Sequence, residues 1–175
     1  MHEKFQAIKE SYDQFYRSLL KRGKLPFKDT GKGFWNAADT PTLYELFSKI
    51  GTHKKFVDLG SGDGKAVLLA SLFAKHAVGI EWDKELHNAA TEFTKKLGIN
   101  NVSFINDDFN NHALHEYDVV FLNPDKPLHR DNLEEKLVSE LNGKLVVFGP
   151  HFHPTKLKKV NEFFVNDYMV SVYSK

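Results

Sequence analysis

From Lys55 to Pro150 the chain alternates runs that are apolar along their whole length with segments of helical periodicity. "KFVDL" precedes "GKAVLLASLFAK", "HAVGIEW" precedes "DKELHNAATEFTKKLG", and "NVSFIND" adds a further apolar run. "YDVVFLNP" and "GKLVVFGP" then flank "RDNLEEKLVSEL". A strand without a polar face must be covered on both sides, and strands joined through helices run parallel. The pattern therefore predicts a doubly wound, Rossmann-like α/β sheet. The tail "KLKKVNEFFVNDYMVSVYSK" reads either as a helix then a strand or as an antiparallel hairpin turning at Asn166-Asp167; the alternation of "YMVSVYS" favours the hairpin, which completes a mostly parallel sheet of about seven strands. At 175 residues and 41% hydrophobic content, the chain can bury one core.

Before the alternation, Phe5, Ile8, Tyr12, Phe15 and Leu19 recur at helical spacing, and "KRGKLPFKDTGKG" breaks regular structure. "DTPTLYELFSKIG" reads as a second helix, capped by Asp39 or Thr40, with Pro41 in its first turn and Gly51 at its stop. The expected division is a helical extension over 1–33 and a single domain over 34–175. The chain has no cysteine, which excludes disulfides, thiolate metal sites and a cysteine nucleophile. His151 and His153 in "PHFHP" have a spacing that a metal could use but no evident third ligand, so no metal site is expected. The N-terminus is too charged for a signal peptide, and no run of roughly 18 apolar residues could span a bilayer. A cytoplasmic protein without a membrane partner is the expectation.

In a doubly wound sheet the ligand lies beyond the carboxyl ends of the strands, which directs attention to "DLGSGDGK", residues 58–65. A phosphate-binding P-loop needs Lys-Ser/Thr after its last glycine, and here Lys65-Ala66 follows Gly64. A dinucleotide fingerprint is G-x-G-x-x-G, whereas this turn reads G-x-G-x-G. Charge points the same way. Asp58, Asp63 and Glu81, with Asp107-Asp108 beyond the third strand, would repel a diphosphate. They would favour S-adenosyl-L-methionine, which carries a sulfonium and an ammonium.

Four stretches in order, "VDLGSGDGKAVLLA", "AVGIEWD", "INDDF" and "YDVVFLNPD", resemble the motifs of class I S-adenosylmethionine-dependent methyltransferases. The resemblance implies that Gly60, Ser61 and Gly62 hold the methionine moiety, with Asp58 near its ammonium. Glu81 takes the ribose hydroxyls, and Asp108 meets the adenine amino group while Phe109 lies against the ring. Trp82 and Phe109 are either core residues or walls of the adenine pocket. Asn123 and Pro124 line the channel where the acceptor nitrogen enters, as the residues nearest the chemistry, with Asn123 also beside the cofactor. Trp35 is a candidate lid that excludes water.

The acceptor is read from "NPD", residues 123–125. Base-amine methyltransferases resemble [ND]-P-P-[YFW]. Asn123-Pro124 matches, but Asp125 and Lys126 do not, and the stacking aromatic is missing. "FLNPDKPLHRDNLEEKLVSELNGKLVVFGPHFHP" is closer to the compact archaeal and mitochondrial protein-lysine methyltransferases, as is the preceding "FWNAADTPTLYELF". That resemblance implies a protein partner presenting exposed lysines. A nucleic-acid partner, methylated on an exocyclic amine, is the alternative, disfavoured by a net charge of only +1.

Overall fold

The computed structural model describes residues 1–124 and 131–175. In chain order the elements are α1 (His2–Lys21), β1 (Phe27–Asp29), β2 (Phe34–Asn36), α2 (Thr40–Ile50), β3 (His53–Leu59), α3 (Lys65–Ala70), β4 (Ala74–Ile80) and α4 (Lys84–Leu97). They continue as β5 (Val102–Ile105), a 3-10 turn (Phe109–Asn111), β6 (Val119–Leu122), α5 (Asp131–Glu140), β7 (Lys144–Phe148), β8 (Lys158–Val165) and β9 (Tyr168–Ser174).

The main sheet has seven strands in the order β5-β4-β3-β6-β7-β9-β8. The pairings from β5 to β7 are parallel, and β9 runs antiparallel to both β7 and β8. This is the expected Rossmann-like methyltransferase sheet with its C-terminal hairpin. Asn166, at φ 51°, lies in the turn between β8 and β9. From β3 the chain steps outward through β4 and β5, then returns to place β6 on the other side of β3. The point where strand order reverses is thus the β3–β6 boundary.

Alternation along the central strands explains their unbroken hydrophobicity. Phe56, Val119, Phe121 and Val146 enter a core shared with α1, α2 and α3. Val57, Val120, Leu122, Leu145 and Val147 enter a second core with Leu133, Leu137 and Leu141, which recur every fourth residue along and just beyond α5. From α1, Phe5, Ile8 and Tyr12 join the first core.

Two local expectations differ from the structure. The segment "GKAVLLASLFAK" is helical only from Lys65 to Ala70. The chain then turns toward β4, with the Ser71 hydroxyl donating to the Leu68 carbonyl and the Asn101 amide donating to the carbonyls of Ser71 and Ala74. Its apolar content reflects burial against the sheet rather than helix length. The segment expected to be irregular contains the β1–β2 hairpin. Thr30 closes it through N–H and hydroxyl bonds to the Gly33 carbonyl, at 2.9 and 2.8 Å, while Gly31 donates to the Asp29 carboxylate.

Candidate active site

The carboxyl ends of the parallel strands open into a cleft of about 340 Å³, within the usual range for small-molecule sites of roughly 300–1,000 Å³. Every residue expected at the site lines it: Asp58, Gly60, Ser61, Gly62, Glu81, Trp82, Asp108, Phe109, Asn123 and Pro124, together with Trp35. Asp107 is engaged elsewhere, bonding the Asp108 amide and, at 3.0 Å, His112. The cleft has three parts.

At the centre, the turn after β3 is pinned to β4. Gly60 and Ser61 donate to the Ile80 carbonyl, and Gly62 donates to Glu81 Oε2 at 2.8 Å. Gly62 has φ +56°, and a Cβ there would stand 2.5 Å from the Trp35 indole, so the aromatic closes directly onto a bare backbone. Glu81 Oε1 accepts from the Asp83 amide at 2.7 Å, which joins the glycine turn to the start of α4. A carboxylate has about four acceptor positions, so both Glu81 oxygens retain capacity for hydroxyl donors.

The electrostatics of this centre are unusual for so buried a place. Asp58, Asp63 and Glu81 are 3%, 4% and 6% exposed. Burial pushes the Asp58 carboxyl well above the usual aspartate range, and the neighbouring Glu81 and Asp63 push it further. Burial also raises Glu81 and Asp63, against the pull of hydrogen bonds to each and of the Lys65 charge on Asp63. The Lys65 ammonium, lowered by its own burial, donates to the Ala38 carbonyl and lies 4.4 Å from the centre of the Tyr16 ring.

A cationic cofactor meets this centre on several counts. The Ser61 hydroxyl is buried without a hydrogen-bond partner among the described residues. A Cβ on Gly60 would meet nothing within 4 Å, so the backbone there faces open space. The carboxylate cluster completes a donor set suited to positive charge. These residues fit S-adenosylmethionine.

At one end of the cleft Trp82 is half exposed beside Asp108. The Asn106 amide holds the loop by donating to the carbonyls of Glu81 and Trp82. Lys32, reaching in from the β1–β2 hairpin, pairs with Asp108 Oδ2 at 2.5 Å and lies 3.6 Å from the centre of the Trp82 ring. Asp108 Oδ1 accepts from the Asn110 amide. Lys28 ties the same hairpin to Asp83 and Glu85 at 2.8 and 2.7 Å. An adenine amino group meeting Asp108 would therefore have to share or displace Lys32.

At the other end, one residue beyond the paired Leu122 and Val147, Asn123 and Phe148 both line the cleft. Tyr168 stacks on Phe148 with ring centres 4.9 Å apart, and the Gly149 amide donates to the Met169 carbonyl. His151 lines this end too. Among the described residues no three His, Cys, Asp or Glu side chains are grouped to hold a metal ion.

Sequence reasoning did not find Lys32, Phe148 or Tyr168. The first sits in a hairpin hidden by turn residues, and the others are ordinary strand aromatics whose pairing depends on the β7–β9 register.

A family model described as "Methyltransferase domain" matches residues 50–161. An RNA methyltransferase from Salinibacter ruber, solved with S-adenosyl-L-homocysteine, superposes with a TM-score of 0.68. It is 23% identical, over 78% of this chain and 92% of its own. A mutant of MtNAS in complex with S-adenosylmethionine gives 0.63 at 15% identity, over 77% of this chain and 62% of its own. The Bacillus subtilis M1A22 tRNA methyltransferase TrmK gives 0.60 at 17% identity, over 76% and 64%. The search of curated proteins found no match.

Proposed function

We propose an acceptor from one premise: the chain belongs to the methyltransferase domain family, and it is an S-adenosyl-L-methionine-dependent methyltransferase. The acceptor we infer is the side-chain amine of lysine on an exposed protein segment. The observation that carries this reading is the Phe148–Tyr168 stack, which lines the same cleft as Asn123. Such a wall suits the methylene arm of a lysine, and Asn123 offers an oxygen to an amine arriving at its tip. The described cations that line the cleft, Lys32 and Lys65, are both engaged, so neither stands ready to clamp a phosphate.

In this reading the turn Gly60–Gly62 and the Ser61 hydroxyl hold the methionine end, Asp58 faces its ammonium and Glu81 takes the ribose. Asp108 and Phe109 bound the adenine side with Trp82. The bound cofactor supplies a methyl group already activated by its sulfonium. What remains for the chain is alignment and desolvation. A lysine amine has a free pKa of about 10.4, so it enters as the ammonium and must lose a proton before attack. Burial against Phe148 and Tyr168 favours the neutral amine. The Asn123 side-chain oxygen and nearby backbone carbonyls accept its remaining N–H bonds and so direct the lone pair inward.

A second reading has its own support. Asn123-Pro124 also opens the pattern of base-amine methyltransferases, and two of the similar structures are named as RNA or tRNA methyltransferases. Incubating the purified protein with methyl-labelled cofactor and host lysate separates the two. Lysine transfer puts label in protease-sensitive, nuclease-resistant material, with methyl-lysine found by mass spectrometry. Label in nuclease-sensitive material overturns the lysine reading in favour of the second.

A further inference from the structure

We propose that Tyr16, on α1 and outside the residues that the family model matches, is a positioning residue for the glycine turn that binds the cofactor. Its hydroxyl donates to Asp63 Oδ2 at 2.5 Å, and Asp63 lies between Gly62 and Gly64 within the turn. The Tyr12 hydroxyl, one helical turn earlier, donates to the Asp63 backbone carbonyl at 2.8 Å. One face of α1 thus grips both the side chain and the backbone of a single residue in the turn.

Tyr16 does more than Tyr12. Tyr12 is fully buried and stacks on Phe93 at 4.1 Å, so it fills the core besides making its bond. Tyr16 is only half-buried, and besides Tyr12 and Phe15 of its own helix its ring meets two residues that line the site. Its ring centre is 6.3 Å from that of Trp35, the residue that covers Gly62. The Lys65 ammonium, immediately after the turn, stands 4.4 Å above its ring.

The logic is that of a clamp with two jaws. Glu81 holds the Gly62 amide from the β4 side, and Tyr16 holds Asp63 from the α1 side. The Asp63 Oδ1 atom accepts from the Lys65 amide, so the carboxylate bridges the helix to the start of α3. Without the Tyr16 hydroxyl, the buried Asp63 carboxylate keeps the Lys65 amide and the Trp35 side chain as donors but loses the one that ties it to α1, and the side chain is free to turn toward the others. Gly60, Gly62 and Gly64 all have positive φ, so hydrogen bonds rather than side-chain packing fix the shape of the turn, and Asp63 carries two of those bonds to α1. The groups facing the cofactor, Ser61 above all, would then shift.

The proposal rests on the cofactor site and is independent of the acceptor. Calorimetric titration of S-adenosylhomocysteine into Tyr16→Phe tests it, since the ring is kept and only the hydroxyl goes. The expected result is a dissociation constant about tenfold weaker at full stoichiometry, the effect of one hydrogen bond. A merely structural role would instead reduce the fraction of competent sites and leave their affinity unchanged. That result, or an unaltered constant, overturns the proposal. Hydrogen exchange on the wild-type protein decides even if the variant fails to fold. Binding of S-adenosylhomocysteine should slow exchange in α1 around Tyr12–Arg17 as well as in the turn, because coupling is reciprocal. Protection confined to the turn overturns the proposal. A wild-type protein that binds no S-adenosylhomocysteine removes the cofactor site itself, and this inference with it.

Discussion

Glu81 shows how one residue can hold a turn together and remain available to a ligand. It bonds the Gly62 and Asp83 amides and lines the centre of the cleft. We expect Glu81→Ala to weaken cofactor binding by roughly 1.5–3 kcal/mol, the loss of charge-assisted hydrogen bonds. Calorimetry checks this, and an unchanged affinity would remove the ribose assignment. Asp58 gives a prediction in pH. In the cofactor-free protein its carboxyl titrates well above the usual 3.8, chiefly from burial. A bound cation favours the ionised form, so S-adenosylmethionine affinity should rise with pH through that raised value and level off above it. The slope should shrink in Asp58→Asn. For folding the sign reverses: the native carboxyl binds its proton more tightly than the unfolded one. Its contribution to stability is complete below a pH of about 4 and is lost as pH rises through the folded value. Asp58 and Glu81 were legible in the sequence because each stands at the end of an apolar run, where only one strand need be read correctly. Tyr16 was not, because a phenol on a distant helix announces nothing about the carboxylate it will meet.

At the scale of elements, the β1–β2 hairpin carries the largest difference between sequence and structure. Its strands are three residues each, too short for periodicity, and its glycines mark a turn that reads equally well as a break. Yet it supplies Lys32 and Trp35 to the cleft, while Lys28 ties it to Asp83 and Glu85. The candidate lid residue sits in a hairpin anchored by ion pairs from Lys28 to Asp83 and Glu85 and from Lys32 to Asp108. Replacing Trp35 with Ala would uncover Gly62 and admit water to the centre of the site. Weaker cofactor binding and slower turnover are the expected outcomes, with the fold intact by circular dichroism. Binding and turnover both equal to wild type would show that Trp35 closes nothing. The longer strands and helices were legible for the opposite reason: alternation between two cores writes a continuous apolar signal into β3, β6 and β7.

At the scale of the molecule, the cleft straddles the strand reversal and draws on the hairpin, α2, the start of α3 and the ends of β3, β4, β6, β7 and β9. A ligand that touches so many elements should stabilise them together. At a hundredfold excess over its dissociation constant, S-adenosylhomocysteine should add about 2.7 kcal/mol and raise Tm by about 5–10 °C. Differential scanning fluorimetry checks this, and a shift absent at saturation would mean that the ligand does not favour the folded state.

The strand order has a consequence in time as well. β3 takes its second partner, β6, and β7 takes β9, from later in the chain rather than from the next strand. As the polypeptide leaves the ribosome, β3, β4 and β5 can associate early, but β3 keeps one edge bare until β6 emerges. The aromatic wall that lines the cleft with Asn123 waits longer still, because Tyr168 must arrive to meet Phe148. Non-local closure of this kind is slow and leaves sticky edges exposed. If the acceptor enters where we propose, synthesis builds the cofactor side of the cleft first and the acceptor side only once the β8–β9 hairpin has joined the sheet.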